Sequence, residues 1–216
     1  MMWRKTGRTQ VTEDINMLEY ENDLKKEGIY IVGGIDEAGR GPLAGPVVAA
    51  CAVFDTRNPL PEARDSKKLT EKKREALFEK ILENCLAYGI GIVDNDVIDE
   101  INILNATYLA MQKAVLNLKD KKPEVVLVDH VHIPDIDIKQ ISITNGDALS
   151  LCIAASSIIA KVTRDRIMRE LDLLYPGYGF AKHKGYGTKA HYEAIEQLGI
   201  SQVHRKTFVK KYMTTS

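Results

Sequence analysis

An apolar segment that stops abruptly at two carboxylates places the tightest constraint on how this chain can fold. Residues 29–35 have the composition of a buried strand, and Asp36 and Glu37 follow directly. Three of the next residues, 39–42, are glycine or proline, which end a strand and let a ligand approach the backbone closely. Adjacent side chains of a strand point to opposite faces, so both acids can share one site only if Glu37 lies beyond the regular strand pairing.

Two more carboxylates occur where predicted strands end. Asp129 closes a short apolar segment, and Asp147 lies between a second short strand and a helix predicted from residue 148 to about 174. The alternation of strands and helices predicts one α/β layer structure, in which these two acids could meet Asp36 and Glu37. For Asp147, capping of the following helix is an alternative role.

Carboxylates that meet in one cleft repel one another, and at least one of four would stay protonated without a compensating charge. Divalent cations remove this conflict, and a ligand set made only of oxygen favours Mg²⁺ or Mn²⁺ over zinc. Two such ions can serve an in-line displacement at a phosphodiester. The strand-end acids therefore predict metal-dependent phosphodiester hydrolysis.

The composition is that of an ordinary soluble protein. The 216 residues are 44% hydrophobic, which is ample for one core, with residues 1–28 as a helical extension ahead of it. The 30 basic and 30 acidic residues cancel, so a nucleic-acid partner must be held by local patches. No apolar run reaches the length of a membrane span, and we expect a monomer in the cytoplasm that does not contact membranes.

Residues 178–189 form the more specific of two basic segments. They interleave aromatic residues, cations and glycines without one acid, which suits stacking on sugars and bases beside phosphate contacts. An exposed loop with a few packed tyrosines is the alternative interpretation. The other segment, around residues 65–74, is rich in lysine, and a lysine-rich helix face is more often simply solvated.

Taken together, these motifs closely resemble bacterial ribonuclease HII, the type 2 ribonuclease H family. The matching stretches are 34–47, 65–69, 100–104, 153–165, 175–188 and 204–205. The resemblance implies an α/β fold with a ribonuclease H-like mixed sheet flanked by helices, in a catalytic domain of residues 29–216 whose part from about residue 175 is helical. It further implies hydrolysis of RNA in RNA/DNA hybrids and of DNA duplexes that contain ribonucleotides, with cleavage 5′ of a single ribonucleotide and 5′-phosphate and 3′-hydroxyl products.

The resemblance also implies roles for individual residues. The metal-binding acids of the family match Asp36, Glu37, Asp129 and Asp147, which implies two Mn²⁺ or Mg²⁺ ions during catalysis. The active-site tyrosine matches Tyr186, which would hydrogen-bond the 2′-hydroxyl and read the junction from RNA to DNA. The substrate-binding positions implied in this way are Gly39, Arg40, Gly41, Ser66, Lys67, Lys68, Lys161 and Arg164.

The chain departs from the usual family pattern at two places. Asn145 stands where the family commonly has lysine, and His130 and His132 follow the third acid, where Gly or Ala is common. The alternatives are a ribonuclease HIII-like hybrid nuclease, which would carry a larger N-terminal domain, and a nucleic-acid binding module without activity. A two-carboxylate glycosidase ranks last, because only 6% of the residues are aromatic.

Overall fold

A computed structural model describes residues 16–60, 63, 69–119 and 121–212. In these ranges five strands form one mixed sheet in the order β3-β2-β1-β4-β5. The strands are β1 (Ile31–Ala38), β2 (Val47–Asp55), β3 (Ala87–Val93), β4 (Val125–Asp129) and β5 (Lys139–Ile143). Strand β2 runs antiparallel to β1 and β3, whereas β4 is parallel to both β1 and β5. The predicted α/β fold with a mixed sheet is confirmed.

Helices cover both faces of the sheet. They are α1 (Glu19–Lys26), α2 (Glu71–Asn84), α3 (Asn95–Leu116), α4 (Gly146–Leu149), α5 (Leu151–Leu174), α6 (Phe180–His183) and α7 (Lys189–Leu198), followed by a 3₁₀ turn at Lys210–Tyr212. Strand β2 is buried on both sides, and its alternate side chains enter two different cores. Phe54 belongs to the core under α5, and Val53 to the core under α3. None of the helices in the described ranges is long and apolar enough to cross a membrane.

Helix α5 lies unusually close to strand β1, and this approach sets the position of the site. An ideal Cβ on Gly34 would lie 2.0 Å from the carbonyl oxygen of Cys152, so only glycine fits there. The Ser156 hydroxyl donates to the carbonyl oxygen of Gly34 at 2.8 Å and accepts from the backbone N–H of Ala52 at 3.1 Å. Side chains near the first turns of α5 therefore reach the carboxyl end of β1.

The long helix predicted from residue 148 is interrupted. Ser150 has extended backbone angles (φ −135°, ψ 128°), and its hydroxyl accepts from the backbone N–H of Ile153 as the N-cap of α5. Buried Glu21 of α1 reinforces this cap, because its Oε1 accepts from the Ser150 hydroxyl at 2.7 Å and from the N–H of Cys152 at 3.1 Å. Part of the segment before residue 29 thus packs into the main core, and a domain boundary at 28 stays a prediction.

The polypeptide after α5 forms a third, smaller core. Phe180, Ile195 and Val209 pack there with Leu43 and Met168. The hydroxyl of Thr188 accepts from the N–H of His191 and caps the start of α7. This arrangement seats the C-terminal helices against the loop that follows β1.

Candidate active site

Strand β1 continues through both acids instead of ending before them. Asp36 and Glu37 pair with β2 opposite Ala50 and Ala49, while the pairing of β1 with β4 ends at Ile35. Glu37 therefore lies within the regular pairing with β2 but, like Asp36, beyond the pairing with β4, so the expectation that it lies beyond the regular pairing is wrong for one edge of β1 and correct for the other. Only the β4 side of the strand is open, and that is the side on which Asp129 ends its own strand.

The charges of three of the acids act on one another. Asp36 is only 6% exposed, and its Oδ1 accepts from the backbone N–H of Glu37 at 2.7 Å. Burial raises the pKa of the Asp36 carboxyl well above its usual value, and the charges of Glu37 and Asp129 raise it further. A hydrogen bond from the Ser157 hydroxyl of α5 opposes this shift. The site therefore favours a cation or a proton at Asp36.

Glu37 shows the same conflict in milder form. Burial raises the pKa of its carboxyl, while the guanidinium of Arg40 lowers it from 3.3 Å away. The negative charge of Asp129 also raises the pKa of Glu37. In this arrangement Arg40 supplies the positive charge nearest to Glu37.

A turn holds Asp129 against Gly146, the residue before Asp147. Oδ1 of Asp129 accepts from the backbone N–H of Gly146 at 2.7 Å, which holds the start of α4 against the end of β4. Asp147 is in the first turn of α4, whose N-cap is Asn145, and Ser150 caps α5. The alternative that Asp147 serves as a helix cap is therefore wrong.

The donor set fits a hard divalent cation, because the four side chains offer only carboxylate oxygens and the repulsion among Asp36, Glu37 and Asp129 would be relieved by positive charge. Within the described ranges, however, no three His, Cys, Asp or Glu side chains form a ready-made group that could hold a metal ion. The fit thus rests on donor chemistry and electrostatics.

A pocket of about 380 Å³ opens beside Glu37. Residues 39–41, the side chain of Tyr186, and Ser157 and Lys161 of α5 line it. Tyr186 is 45% exposed, and an ideal Cβ on Gly41 would come within 3.6 Å of its ring. The predicted Gly-Arg-Gly backbone and the predicted tyrosine therefore border the same space.

A buried arginine of α5 holds the backbone that forms this pocket. Arg164 is 1% exposed and donates to the carbonyl oxygens of Pro46, Ala44 and Lys184 at 2.9 to 3.1 Å. An added Cβ on Gly39 (φ 97°) would lie 2.1 Å from its Nε. Arg164 thus supports the segment 39–46, called here the 39–46 loop. A direct phosphate contact of Arg164 stays a prediction, and its burial argues against it.

A second buried arginine holds the same loop from the C-terminal part. Arg205 donates to the carbonyl oxygens of Gly39, Arg40 and Gly45 at 2.6 to 3.0 Å. Burial lowers the pKa of Arg205 to about 9 and that of Arg164 to about 10, so both stay charged at neutral pH. Two positive charges therefore lie directly beneath the 39–46 loop.

Of the remaining predicted substrate contacts, only Lys161 lies among the described residues. Lys161 lines the pocket, and its ammonium contacts Asp165 at 2.6 Å. Ser66, Lys67 and Lys68 lie outside the described residues. Sequence reasoning assigned no individual role to Ser157 or Arg205, and it named Arg74 only within the basic segment around residues 65–74, although all three border the pocket or hold its loop. Arg205 lies in the family-matching stretch 204–205, but only its burial against distant carbonyls reveals what it does.

Solved structures that share this fold include several ribonucleases H. The ribonuclease H2 of Pyrococcus horikoshii OT3 has a TM-score of 0.71 at 30% identity, covering 86% of this chain and all of that one. RNase HII of Archaeoglobus fulgidus, solved in complex with PCNA, has a TM-score of 0.69 at 27% identity, over 81% and 93% of the two chains. A Bst-RNase HIII in complex with Mn²⁺ shares the fold at 19% identity and a TM-score of 0.63, over 85% and 69%.

Sequence comparison gives the particular family. The family model of Ribonuclease HII matches residues 33–215, so this chain belongs to the ribonuclease HII family. Ribonuclease HII of Clostridioides difficile (strain 630) is 58% identical over 201 residues, which cover 93% of this chain and 78% of that protein. The Caldicellulosiruptor bescii protein of the same name is 50% identical over 205 residues, which cover 95% and 99%. The chain is a ribonuclease H, a hydrolytic endonuclease that acts on RNA/DNA hybrids.

Proposed function

We propose that this endonuclease also cuts DNA duplexes on the 5′ side of a single embedded ribonucleotide, and that it leaves 5′-phosphate and 3′-hydroxyl ends. One observation carries the proposal. Glu37, the backbone of residues 39–41 and the half-exposed Tyr186 border one pocket of about 380 Å³. Backbone groups can contact a 2′-hydroxyl, which only RNA carries, while an aromatic ring can pack on the neighbouring deoxyribose.

The proposed cofactors are two divalent cations, Mg²⁺ or Mn²⁺, held by Asp36, Glu37, Asp129 and Asp147. Such ions supply the positive charge that an in-line displacement needs at the attacking and leaving oxygens. The buried carboxyl of Asp36 supports this assignment, because the charges around it favour a bound cation. The link between Asp129 and Gly146 keeps α4, and with it Asp147, at the same end of the sheet.

The chain's own residues orient the substrate. Arg164 and Arg205 fix six carbonyl contacts around the 39–46 loop, so its backbone N–H groups can meet the ribonucleotide with little reorganisation. Their buried charges favour a phosphate above the loop. The Arg40 side chain is 42% exposed, so it could turn from Glu37 to a substrate phosphate if bound cations balanced the charge of that acid.

Lys161 is a weaker candidate for phosphate contact, because it already pairs with Asp165. Ser66, Lys67 and Lys68 keep the same proposed role on the family resemblance alone. We further propose that the protein acts as a monomer in the cytoplasm. Residues 29–216 would form the catalytic domain.

The test compares three substrates: a DNA duplex with one ribonucleotide, an all-DNA duplex of the same sequence, and a long RNA/DNA hybrid. Each is incubated with Mg²⁺, Mn²⁺ or chelator. We expect a metal-dependent cut directly 5′ of the single ribonucleotide, no cut of all-DNA, and cleavage of the hybrid. Cleavage of the hybrid alone would indicate a ribonuclease HIII-like preference and would refute the single-ribonucleotide proposal.

The ends of the products are tested separately. A DNA ligase joins only 3′-hydroxyl to 5′-phosphate termini, so religation of the nicked duplex checks the proposed polarity of cleavage. Products with a 3′-phosphate would contradict an attack by water that expels the 3′ oxygen.

A further inference from the structure

Three histidines lie behind the turn that carries Tyr186. The rings of His183 and His191 stack with centroids 4.4 Å apart, and Nε2 of His191 lies 3.0 Å from Nε2 of His204. His191 and His204 are fully buried. Nothing in the proposed chemistry uses these side chains, so their arrangement calls for another role.

The hydrogen bonds determine which nitrogen of each buried ring carries the proton. The backbone N–H of Ser201 donates to Nδ1 of His204 at 2.9 Å, so the proton of His204 must be on Nε2. That N–H then donates to Nε2 of His191, whose own proton must be on Nδ1. The Nδ1–H of His191 finally donates to the carbonyl oxygen of Tyr186 at 3.0 Å. The chain of donors runs in one direction, from Ser201 to Tyr186.

His183 braces the same turn from the other side. Its Nδ1 accepts from the backbone N–H of Gly185 at 3.2 Å, so its Nε2–H donates to the carbonyl oxygen of Tyr178 at 2.8 Å. Its ring also covers one face of His191. All three imidazoles are therefore neutral in this arrangement, and the arrangement defines a single tautomer for each.

The turn needs such support. Tyr186 stands between Gly185 (φ 83°) and Gly187, and Lys184 also has a left-handed backbone (φ 53°). Glycine on both sides gives the backbone more freedom to rotate, and the ring of Tyr186 is half exposed. Backbone hydrogen bonds hold part of the turn, because the N–H of Thr188 donates to the Tyr186 carbonyl and the N–H of Leu43 donates to the Gly185 carbonyl, both at 2.8 Å. The bond from His191 adds a side-chain donor to the Tyr186 carbonyl.

We propose that His204 and His191 form a directed hydrogen-bond relay that positions Tyr186 for substrate discrimination. His191 is then a positioning residue that acts through the Tyr186 carbonyl. The relay rests on the proposed role of Tyr186 in recognising the ribonucleotide. Burial lowers the pKa of His204 to about 4 and lowers that of His191 as well, which agrees with the neutral rings that the relay requires.

The first test needs no substrate. Long-range ¹H–¹⁵N NMR spectra of imidazole-labelled protein at neutral pH distinguish the two tautomers of each neutral ring. We expect Nδ1–H for His191 and Nε2–H for His183 and His204. An Nε2–H tautomer or a charged ring at His191 would overturn the relay.

The second test uses two replacements of different chemistry. His191→Phe keeps a ring but removes both hydrogen bonds, whereas the amide nitrogen of His191→Asn occupies nearly the position of Nδ1 and can still donate to the Tyr186 carbonyl. The readout is the kcat/KM on the single-ribonucleotide duplex divided by the kcat/KM on the long hybrid. Glu196→Gln, an exposed position on the same helix, is the matched control.

We expect His191→Phe to lower this ratio about tenfold, which corresponds to the loss of the hydrogen bond to the Tyr186 carbonyl, the one of the two that acts directly on the turn. His191→Asn should recover most of that loss, and Glu196→Gln should leave the ratio unchanged. A merely structural role of His191 would lower both kcat/KM values equally and leave their ratio intact, and that result would refute positioning.

The two proposals fail in different ways. If Tyr186→Phe leaves the ratio unchanged while the NMR tautomers are as expected, the role of Tyr186 in discrimination fails and the relay remains as a brace of the turn. If Tyr186→Phe lowers the ratio while His191 shows the other tautomer, the relay fails and the function of Tyr186 stands.

Discussion

Replacement of Gly34 by alanine tests the close approach of α5 to β1. The new Cβ would lie 2.0 Å from the carbonyl oxygen of Cys152 and 2.5 Å from the N–H nitrogen of Ile153, so strand and helix must separate by about 1 Å to reach the 3.0 Å that real Cβ contacts respect. Because both obstacles are backbone atoms, no side chain can rotate away. We expect the free energy of unfolding to fall by about 3 kcal/mol or more, which is at the upper end for overpacked cores. For a chain of this size the Tm should fall by about 6 to 12 °C.

Gly33→Ala is the matched control, because it adds the same methyl group to the preceding residue of β1. Its Cβ would meet side-chain atoms of Val126 and Pro123 at 3.0 to 3.3 Å, which can shift by a few tenths of an ångström. We expect the free energy of unfolding of Gly33→Ala to fall by about 1 kcal/mol or less. Thermal and urea unfolding followed by circular dichroism compare the two variants. If they unfold within about 1 °C of each other, α5 does not contact β1 as described here.

Three further results are expected. Asp36→Asn should abolish turnover while keeping the protein folded, and Mg²⁺ should raise the Tm of the unchanged protein but not of this variant; retained cleavage would remove Asp36 from the site. Tyr186→Phe should lower kcat/KM on the single-ribonucleotide duplex more than on a long hybrid, and equal losses would contradict recognition by the hydroxyl. The unfolding free energy should fall by about 1 to 3 kcal/mol as the pH falls from 6.5 to about 4. In the folded protein the pKa of His204 is about 4, so over this pH range His204 binds a proton in the unfolded chain and stays neutral in the folded one. Urea titrations across this range measure the effect, which His204→Gln should reduce.

The part of the site that the sequence predicts is the part encoded locally. Asp36 and Asp129 directly follow short apolar segments, and segments of that length and composition usually form buried strands. The expectation that Glu37 lies beyond the pairing is correct for the β4 edge of β1 and wrong for the β2 edge, because pairing on the two edges ends at different residues. Pairing with β2 extends three residues further than pairing with β4, and no property of residues 36–38 distinguishes the two neighbours.

The features that sequence reasoning missed depend on contacts between distant segments. The break at Ser150 interrupts a stretch of good helix formers, and it is stabilised by Glu21, a residue 129 positions away. The two arginines under the 39–46 loop donate to backbone carbonyls, which every residue has, so no partner can be recognised by its side chain. The tautomers of the three histidines likewise follow only from the atoms that surround each ring.

The hydrogen bonds of Arg205 to the 39–46 loop can form only late in the synthesis of the protein. The Arg205 guanidinium joins carbonyl oxygens that precede it by 160 to 166 residues. The sheet and α5 can be complete while the chain is still being translated, yet the 39–46 loop stays untethered on one side until position 205 has left the ribosome. A nascent polypeptide released at the end of α5 would therefore carry all four acids and Arg164 but lack the Arg205 contacts that complete the support of this loop.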